Sequence, residues 1–400
     1  MLKINFRTNI IALILTSLFL VYISPSANAE PSTILGTTGD EPIGITIDSL
    51  GNIYTANGAS NNVSKITPQG VSTTLGTTGA NPFGITIDSS GNIYTANNVD
   101  NTVTKITPGG VSTTLGTTGN NPRGILIDSS GNIYTANYGA NNVSKITPGG
   151  VSTILGTTGA NPFAITIDSS GNIYTANDVD NTVTKITPQG VSTILGTTGA
   201  NPFGITIDSS GNIYTSNTGA DTVSKITPQG VSTTLGTTGA QPVGITIDSS
   251  GNIYTANNVD NTVTKITPQG VSTTLGTTGA YPFGITIDSS GNIYTSNNFG
   301  ATVTKITVFD QAAANAEAAR VAAANAEAAR VAAANAEAAR KAKEQKELTE
   351  ILALIPSIAE LTLSLGETTQ SLYSVKCVKG KTVKYVKSGA KCPKGYVKKK

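Results

Sequence analysis

The chain has 400 residues, 12% of them charged and 5% aromatic, with 43 Gly and neither Trp nor His. That length exceeds one simple domain, and the absence of His excludes Ser-His and Cys-His catalytic arrangements. The net charge of +2 hides an asymmetry, since residues 31–307 carry 14 acidic and 8 basic side chains while residues 371–400 carry ten Lys and no acid.

The first 29 residues read as a secretory signal peptide. Lys3 and Arg7 form a positive n-region, residues 10–23 are apolar, Pro25 breaks the run, and Ala27-Asn28-Ala29 supplies small residues for cleavage before Glu30. An uncleaved anchor is disfavoured, because a span needs about 20 apolar residues. No Cys follows for a lipid anchor, and no later stretch is long and apolar enough to span a membrane. The expected location is extracellular, at the cell surface.

From residue 30 to 310 a 40-residue unit recurs. Leu35, Leu75, Leu115, Leu155, Leu195, Leu235 and Leu275 mark one equivalent position. The unit starting at Val71 predicts four short strands. These are 83–88, 92–96, 102–107 and, as the fourth, 71–75, each bounded by Gly, Pro or Asp turns. Four strands per 40 residues make a propeller blade. The chain begins with a lone fourth strand and ends after a third strand. Pairing these two segments would close an all-β, seven-bladed β-propeller and hide both edges.

The segment NPFGITIDSSGNIYTANNVDNTVTKI resembles an NHL-type repeat and is similar to the repeats of the streptogramin (virginiamycin B) lyase propellers. The resemblance covers all seven units. It implies the fold firmly and the function weakly, since such propellers serve as enzymes, sensors and binding modules. A lyase of this kind implies active-site His and Glu, and no residue here matches the His. A lactonase of the gluconolactonase type implies a divalent metal held by unlike Glu, Asn and Asp residues. Here Asp48, Asp88, Asp128, Asp168, Asp208, Asp248 and Asp288 repeat at one position, which reads as a turn acceptor. Asp178-Val179-Asp180-Asn181 has closely spaced oxygens but lacks the Gly and terminal Glu of a calcium loop. Tyr54, Tyr94 and their equivalents read as packing residues. No cofactor or metal site is expected, and no catalytic constellation stands out.

Differences between the units concentrate around the Pro that opens the first strand and in the turn after the second. Both places fall on one face of an up-and-down blade. Loops on a rigid scaffold carry binding specificity, so Asp40, Glu41, Arg123, Tyr138, Asp178, Tyr281 and Phe283 form the expected ligand-binding face, for an unidentified protein or glycan. Drift after recent duplication is the alternative.

Residues 311–370 change to an Ala-rich decapeptide repeat of strong helix formers. Glu317 with Arg320 and Glu327 with Arg330 can pair at i,i+3. Pro356 is expected to kink or end the helix. Leu348, Ile351, Leu352, Ile355 and Ile358 form an apolar stripe, so the segment reads as a semi-rigid spacer or a short coiled coil, with self-association left open. In residues 371–400, Cys377 and Cys392 are expected to form a disulfide. Lys376, Lys379, Lys381, Lys384, Lys387, Lys391, Lys394, Lys398, Lys399 and Lys400 suit an anionic envelope polymer; nucleic acid is not expected in an exported chain. The tail resembles Lys-rich, two-cysteine C-termini of some secreted bacterial proteins. The reading is a non-enzymatic binding protein with a propeller head, spacer and anchoring tail. A lyase or lactonase is the first alternative, and a purely structural surface protein the second.

Overall fold

Each unit forms strands where β-branched residues gather and turns where Asp, Pro and Gly collect. The computed structural model describes residues 31–308, 311–371, 375–386 and 389–399, without the side chains of 311–318 and 354–371. The expected signal peptide lies outside the described residues.

The first strands are β1 (Ser32–Thr37), β2 (Pro42–Ile47), β3 (Ile53–Asn57), β4 (Asn62–Ile66) and β5 (Ser72–Thr77). Strands β2 to β5 form one antiparallel sheet in sequence order, and the pattern recurs, giving seven four-stranded sheets among the described residues. These are the repeated sheets of a β-propeller. The fourth strand runs two residues past its expected end at Leu75. A bulge absorbs the change, since Val63 pairs with Gly76 while Ser64 pairs with Thr74.

The final sheet is completed from the other end of the repeats. Strand β1 pairs antiparallel with Thr302–Ile306, from Ser32 opposite Ile306 to Thr37 opposite Thr302. The expected pairing of the N-terminal segment with the last unit is therefore present. The first strand of each sheet packs against those of its two neighbours, and Pro282–Ile287 packs against β2. Close approach needs Gly here: a Cβ on Gly44 would stand 2.7 Å from the Phe83 carbonyl oxygen.

The core lies between sheets. Tyr54, Ala56 and Val63 on one sheet pack against Ile85, Ile93 and Ile106 on the next. The last sheet meets the first in the same way, with Tyr294 and Val303 against Ile53 and Ile66. Each fully buried Ile contributes about 1.5–3 kcal/mol relative to an exposed one. At this last junction Ser296 Oγ also donates to the Ile43 carbonyl at 2.6 Å.

The second compact unit begins at Asp310. Its helix covers Gln311–Ser371, about 92 Å at 1.5 Å per residue. The helix does not end at Pro356. A Pro removes one N–H bond and crowds the carbonyl four residues earlier, a cost that this 61-residue helix absorbs without stopping. Arg330 pairs with Glu327 at 3.0 Å and Arg340 with Glu337 at 2.8 Å, both exposed. Arg340 also pairs with Glu344. Such exposed pairs add little stability. Leu348, Ile351 and Leu352 are exposed on the described part of the stripe, whereas the side chains of Glu317, Ile355 and Ile358 lie outside the described residues. No described helix is long and apolar enough to cross a membrane. The tail forms a three-stranded antiparallel sheet from Val375–Lys379, Thr382–Val386 and Val397–Lys399. The Cys377–Cys392 disulfide is present, with Cys377 fully buried.

The repeated Asp is a turn acceptor throughout. Asp128 Oδ1 accepts from the Ser130 and Asn132 N–H groups at 2.9 and 2.8 Å, and Oδ2 accepts from Asn132 Nδ2 and the Tyr134 hydroxyl at 2.8 and 3.0 Å. Burial works to raise this carboxyl, but the donors outweigh it and hold Asp48, Asp88, Asp128, Asp168 and Asp208 below the usual Asp range. Burial and the neighbouring carboxylate push Tyr134 up to about 12. A depressed carboxyl stabilises the fold above its unfolded pKa of about 3.9, and that contribution is lost as pH falls through the folded value. The raised Tyr stabilises below its unfolded pKa of about 10, and its contribution is lost as pH climbs towards about 12. Thermal unfolding midpoints should therefore stay level from about pH 5 to about pH 9 and fall on both sides. A drop between pH 7 and pH 5, where the chain has no His to titrate, would contradict this account.

A second repeated device crosses between sheets. Asn61 Oδ1 accepts from the Asn81 N–H at 2.7 Å, and the equivalent bond recurs at Asn101–Asn121, Asn141–Asn161, Asn181–Asn201, Asp221–Gln241 and Asn261–Tyr281. Its donors and acceptors all have left-handed backbone, φ 51 to 58°, which Asn tolerates best. At the last junction Ala301 takes this conformation at φ 47° with no acceptor to offer Glu41. Ala301→Asn should relieve the backbone and add the missing bond, stabilising the propeller by about 1–2 kcal/mol. Chemical denaturation of the two proteins checks this, and an unchanged midpoint would count against it.

Candidate functional site

The face that varies between units rests on an invariant polar shelf. Asn97, fully buried, accepts from Thr95 Oγ1 at 3.0 Å and donates to Thr102 and Thr104 hydroxyls at 2.9 and 2.8 Å. Thr104 Oγ1 in turn accepts from the Gly79 N–H at 3.1 Å. Above it the two variable loops of each unit are tied by backbone, as when Tyr138 N–H donates to the Asn121 carbonyl at 2.9 Å. Both expected loop sets therefore sit side by side, on the same face.

The residue after each first-strand Pro reaches the propeller's central cavity. Ile43, Phe83, Arg123, Phe163, Phe203, Val243 and Phe283 line a space of about 200 Å³ with the Gly and Ile residues that follow them. Phe83 meets Phe163 at 5.3 Å and Phe283 at 5.4 Å, and Phe203 meets Phe283 at 5.4 Å, all edge to face. Phe163 also contacts Phe203.

Arg123 is the one charged residue in this lining. Its guanidinium carbon lies 3.5 Å from the Tyr138 ring centroid, 4.5 Å from Phe163 and 5.4 Å from Phe83. Burial lowers its pKa, opposed by Tyr138 and Asp178, and an Arg in such a place stays charged. Its Nε is buried and has no hydrogen-bond partner. The Tyr138 hydroxyl donates to Asp178 Oδ2 at 3.4 Å.

Of the seven residues read from sequence as the binding face, Arg123, Tyr138 and Asp178 thus form one group, and Phe283 joins them through the aromatic lining. Tyr281 stands apart on the rim, 44% exposed and 4.5 Å from Phe299. Asp40 and Glu41 are exposed loop residues held by backbone. The Asp40 N–H donates to Ser60 Oγ at 2.8 Å, and the Glu41 carbonyl accepts from Gly58 at 2.8 Å. No hydrogen bond or ring contact joins them to the Arg123 group among the described residues. Sequence reasoning missed Phe83, Phe163 and Phe203. They are alike between units, so a search for differences passed over them; the signal was four aromatics at one position next to a lone Arg. The group can draw an anion or a polarised carbonyl to Arg123, hold a ring against the Phe edges, and accept a proton at Asp178.

Comparison with known proteins adds the family. The model of the virginiamycin B lyase family matches residues 29–195 and 151–326, more than half of the chain. Selenomethionine-substituted virginiamycin B lyase from Staphylococcus aureus superposes with a TM-score of 0.62 at 22% identity, covering 70% of this chain and 99% of that one. A streptogramin B lyase superposes with a TM-score of 0.61 at 18% identity, covering 69% and 97%. A catalytically inactive His-to-Ala variant of the Staphylococcus aureus lyase with quinupristin gives a TM-score of 0.61 at 21% identity, covering 70% and 99%. At these identities the structures establish the fold alone. No curated protein matches the chain in sequence. The family match corrects the expectation that the chain is not an enzyme. That expectation rested on the missing His and on the near-identity of the units, but losing imidazole removes one class of proton acceptor and leaves carboxylates and phenols able to do the work. By its repeats, its sheets and the family match, this chain is a member of the virginiamycin B lyase family.

Proposed function

We propose that the Arg123–Tyr138–Asp178 corner of the cavity is the reaction site of a lyase. The carrying observation is a buried-edge guanidinium beside a Tyr-bound carboxylate at an aromatic cavity. A lyase step needs a base that takes a carbon-bound proton while a double bond forms and the bond to a leaving oxygen on the adjacent carbon breaks, its electron pair departing on that oxygen, and a positive group for the charge that develops there. Asp178 is placed for the first role and Arg123 for the second, with Tyr138 holding Asp178 in position. Solved relatives act on virginiamycin B or streptogramin B by name, or hold quinupristin, and we take the substrate here to lie across the varied face with one ring at the cavity. The His whose replacement inactivates the Staphylococcus aureus enzyme has no counterpart here, because the chain has no His. Quinupristin incubated with the mature protein should be converted to a product seen by mass spectrometry. Asp178→Asn should slow this by about 100-fold or more with quinupristin affinity kept, as calorimetry would show. Absence of both turnover and binding would remove the reading.

The finer architecture belongs to the same proposal. The head is a closed seven-bladed ring spanning residues 30–310, exported by cleavage before Glu30. The helix is a spacer, and the Lys-rich tail of residues 371–400 holds the protein on an anionic envelope polymer. Supporting the last point, Lys376, Lys379, Lys381, Lys384, Lys391, Lys394, Lys398 and Lys399 gather on one small disulfide-closed sheet and its loops; Lys387 and Lys400 lie outside the described residues. Such binding is screened by salt. The mature chain should sediment with isolated envelope at low ionic strength and leave it on raising NaCl to about 0.5 M, while a chain ending at Ser371 stays in solution. Retention of the shortened chain would sink the anchoring role.

A further inference from the structure

We propose that the cavity selects a single aromatic ring carrying a carboxylate. This deepens the reading of the channel mouth as the ligand site and rests on it. The size argument comes first. A cavity of about 150 Å³ lined by apolar side chains takes benzene, and drug-sized ligands need roughly 300 Å³ or more. At about 200 Å³ the space holds one ring and a small substituent.

The chemistry of the lining fixes the ring and the charge. Phe83, Phe163, Phe203 and Phe283 line the cavity and meet edge to face in three pairs, an aromatic wall suited to an incoming ring. Arg123 supplies the cation. The Tyr138 and Phe163 rings lie 3.5 and 4.5 Å from its guanidinium carbon, and its Nε is unpartnered. In-plane approach by two oxygens is the geometry of a carboxylate on Arg. The protein does not fill that place itself. Asp178 takes the Tyr138 hydroxyl, and no described carboxylate forms an ion pair with Arg123. Arg123 is half-buried and already feels Tyr138 and Asp178, but its Nε has no partner, so an anion brought by the ligand adds a charge-assisted bond there.

Benzoate and its neutral isostere benzamide separate the charge from the ring. With the full mature chain, calorimetry or ligand-observed NMR should show benzoate binding at least about tenfold more tightly, the size of one charge-assisted hydrogen bond. Arg123→Val places there the residue that the sixth unit already carries as Val243, so the fold has a precedent for it. This variant should bind both probes alike, and Arg123→Lys should keep part of the preference. Circular dichroism checks the fold, and Arg123→Gln serves if the Val variant is unfolded. Equal binding of the two probes by the parent protein, or a benzoate preference that persists in Arg123→Val, overturns the inference. If quinupristin neither binds nor reacts while the benzoate preference holds, the lyase reading fails and this inference stands.

Discussion

The two faces of every sheet are different, and each fits the other rather than itself. One presents Tyr, Ala and Val, as at Tyr54, Ala56 and Val63; the other presents Ile, as at Ile85, Ile93 and Ile106. Contacts of this head-to-tail kind either continue without limit or return to their start. Here they return, since Tyr294 and Val303 meet Ile53 and Ile66. Everything else depends on that return. It brings the first strands together around one cavity, and it aligns the varied loops of all seven sheets on one face.

Much of this was legible because the controlling residues recur. The spacing of Leu35 and its equivalents gave the unit, and the Asp of each Asp-Ser-Ser-Gly turn could be read as an acceptor without coordinates. The lone first and last strands announced their pairing. The site was only half legible. Arg123, Tyr138 and Asp178 differ from their counterparts and so drew notice, but they belong to three different units, and no sequence spacing says that they touch. The Phe residues repeat, and repetition looks like packing until the fold directs it to a shared axis. In the tail, the strands are only three to five residues long and crowded with Lys, although buried Val375 and Cys377 do alternate with exposed Lys376. Past Pro356 the helix persists although Ser, Thr and Gly366 follow, so one missing N–H bond does not by itself stop it.

The molecule divides its constancy and its variation by depth. Asn97 and its equivalents are buried in every unit and bonded to a Thr or Ser hydroxyl below the loops, so a change above costs little below. That separation explains how one unit can place Arg where others place Phe, Ile or Val without disturbing the fold. It also explains why identity with solved lyases stays near 20% while the superposition spans nearly the whole of those chains.

The pairing of Ser32–Thr37 with Thr302–Ile306 has a consequence for the order of events during synthesis. The first described strand to be made is the last to find its partner, about 270 residues later. Until then its edge, and the Ile face of the first sheet, stay open to any other chain in the same state. Two growing molecules could each lend the other this strand, so timely completion of a single chain decides between a monomeric head and an exchanged pair.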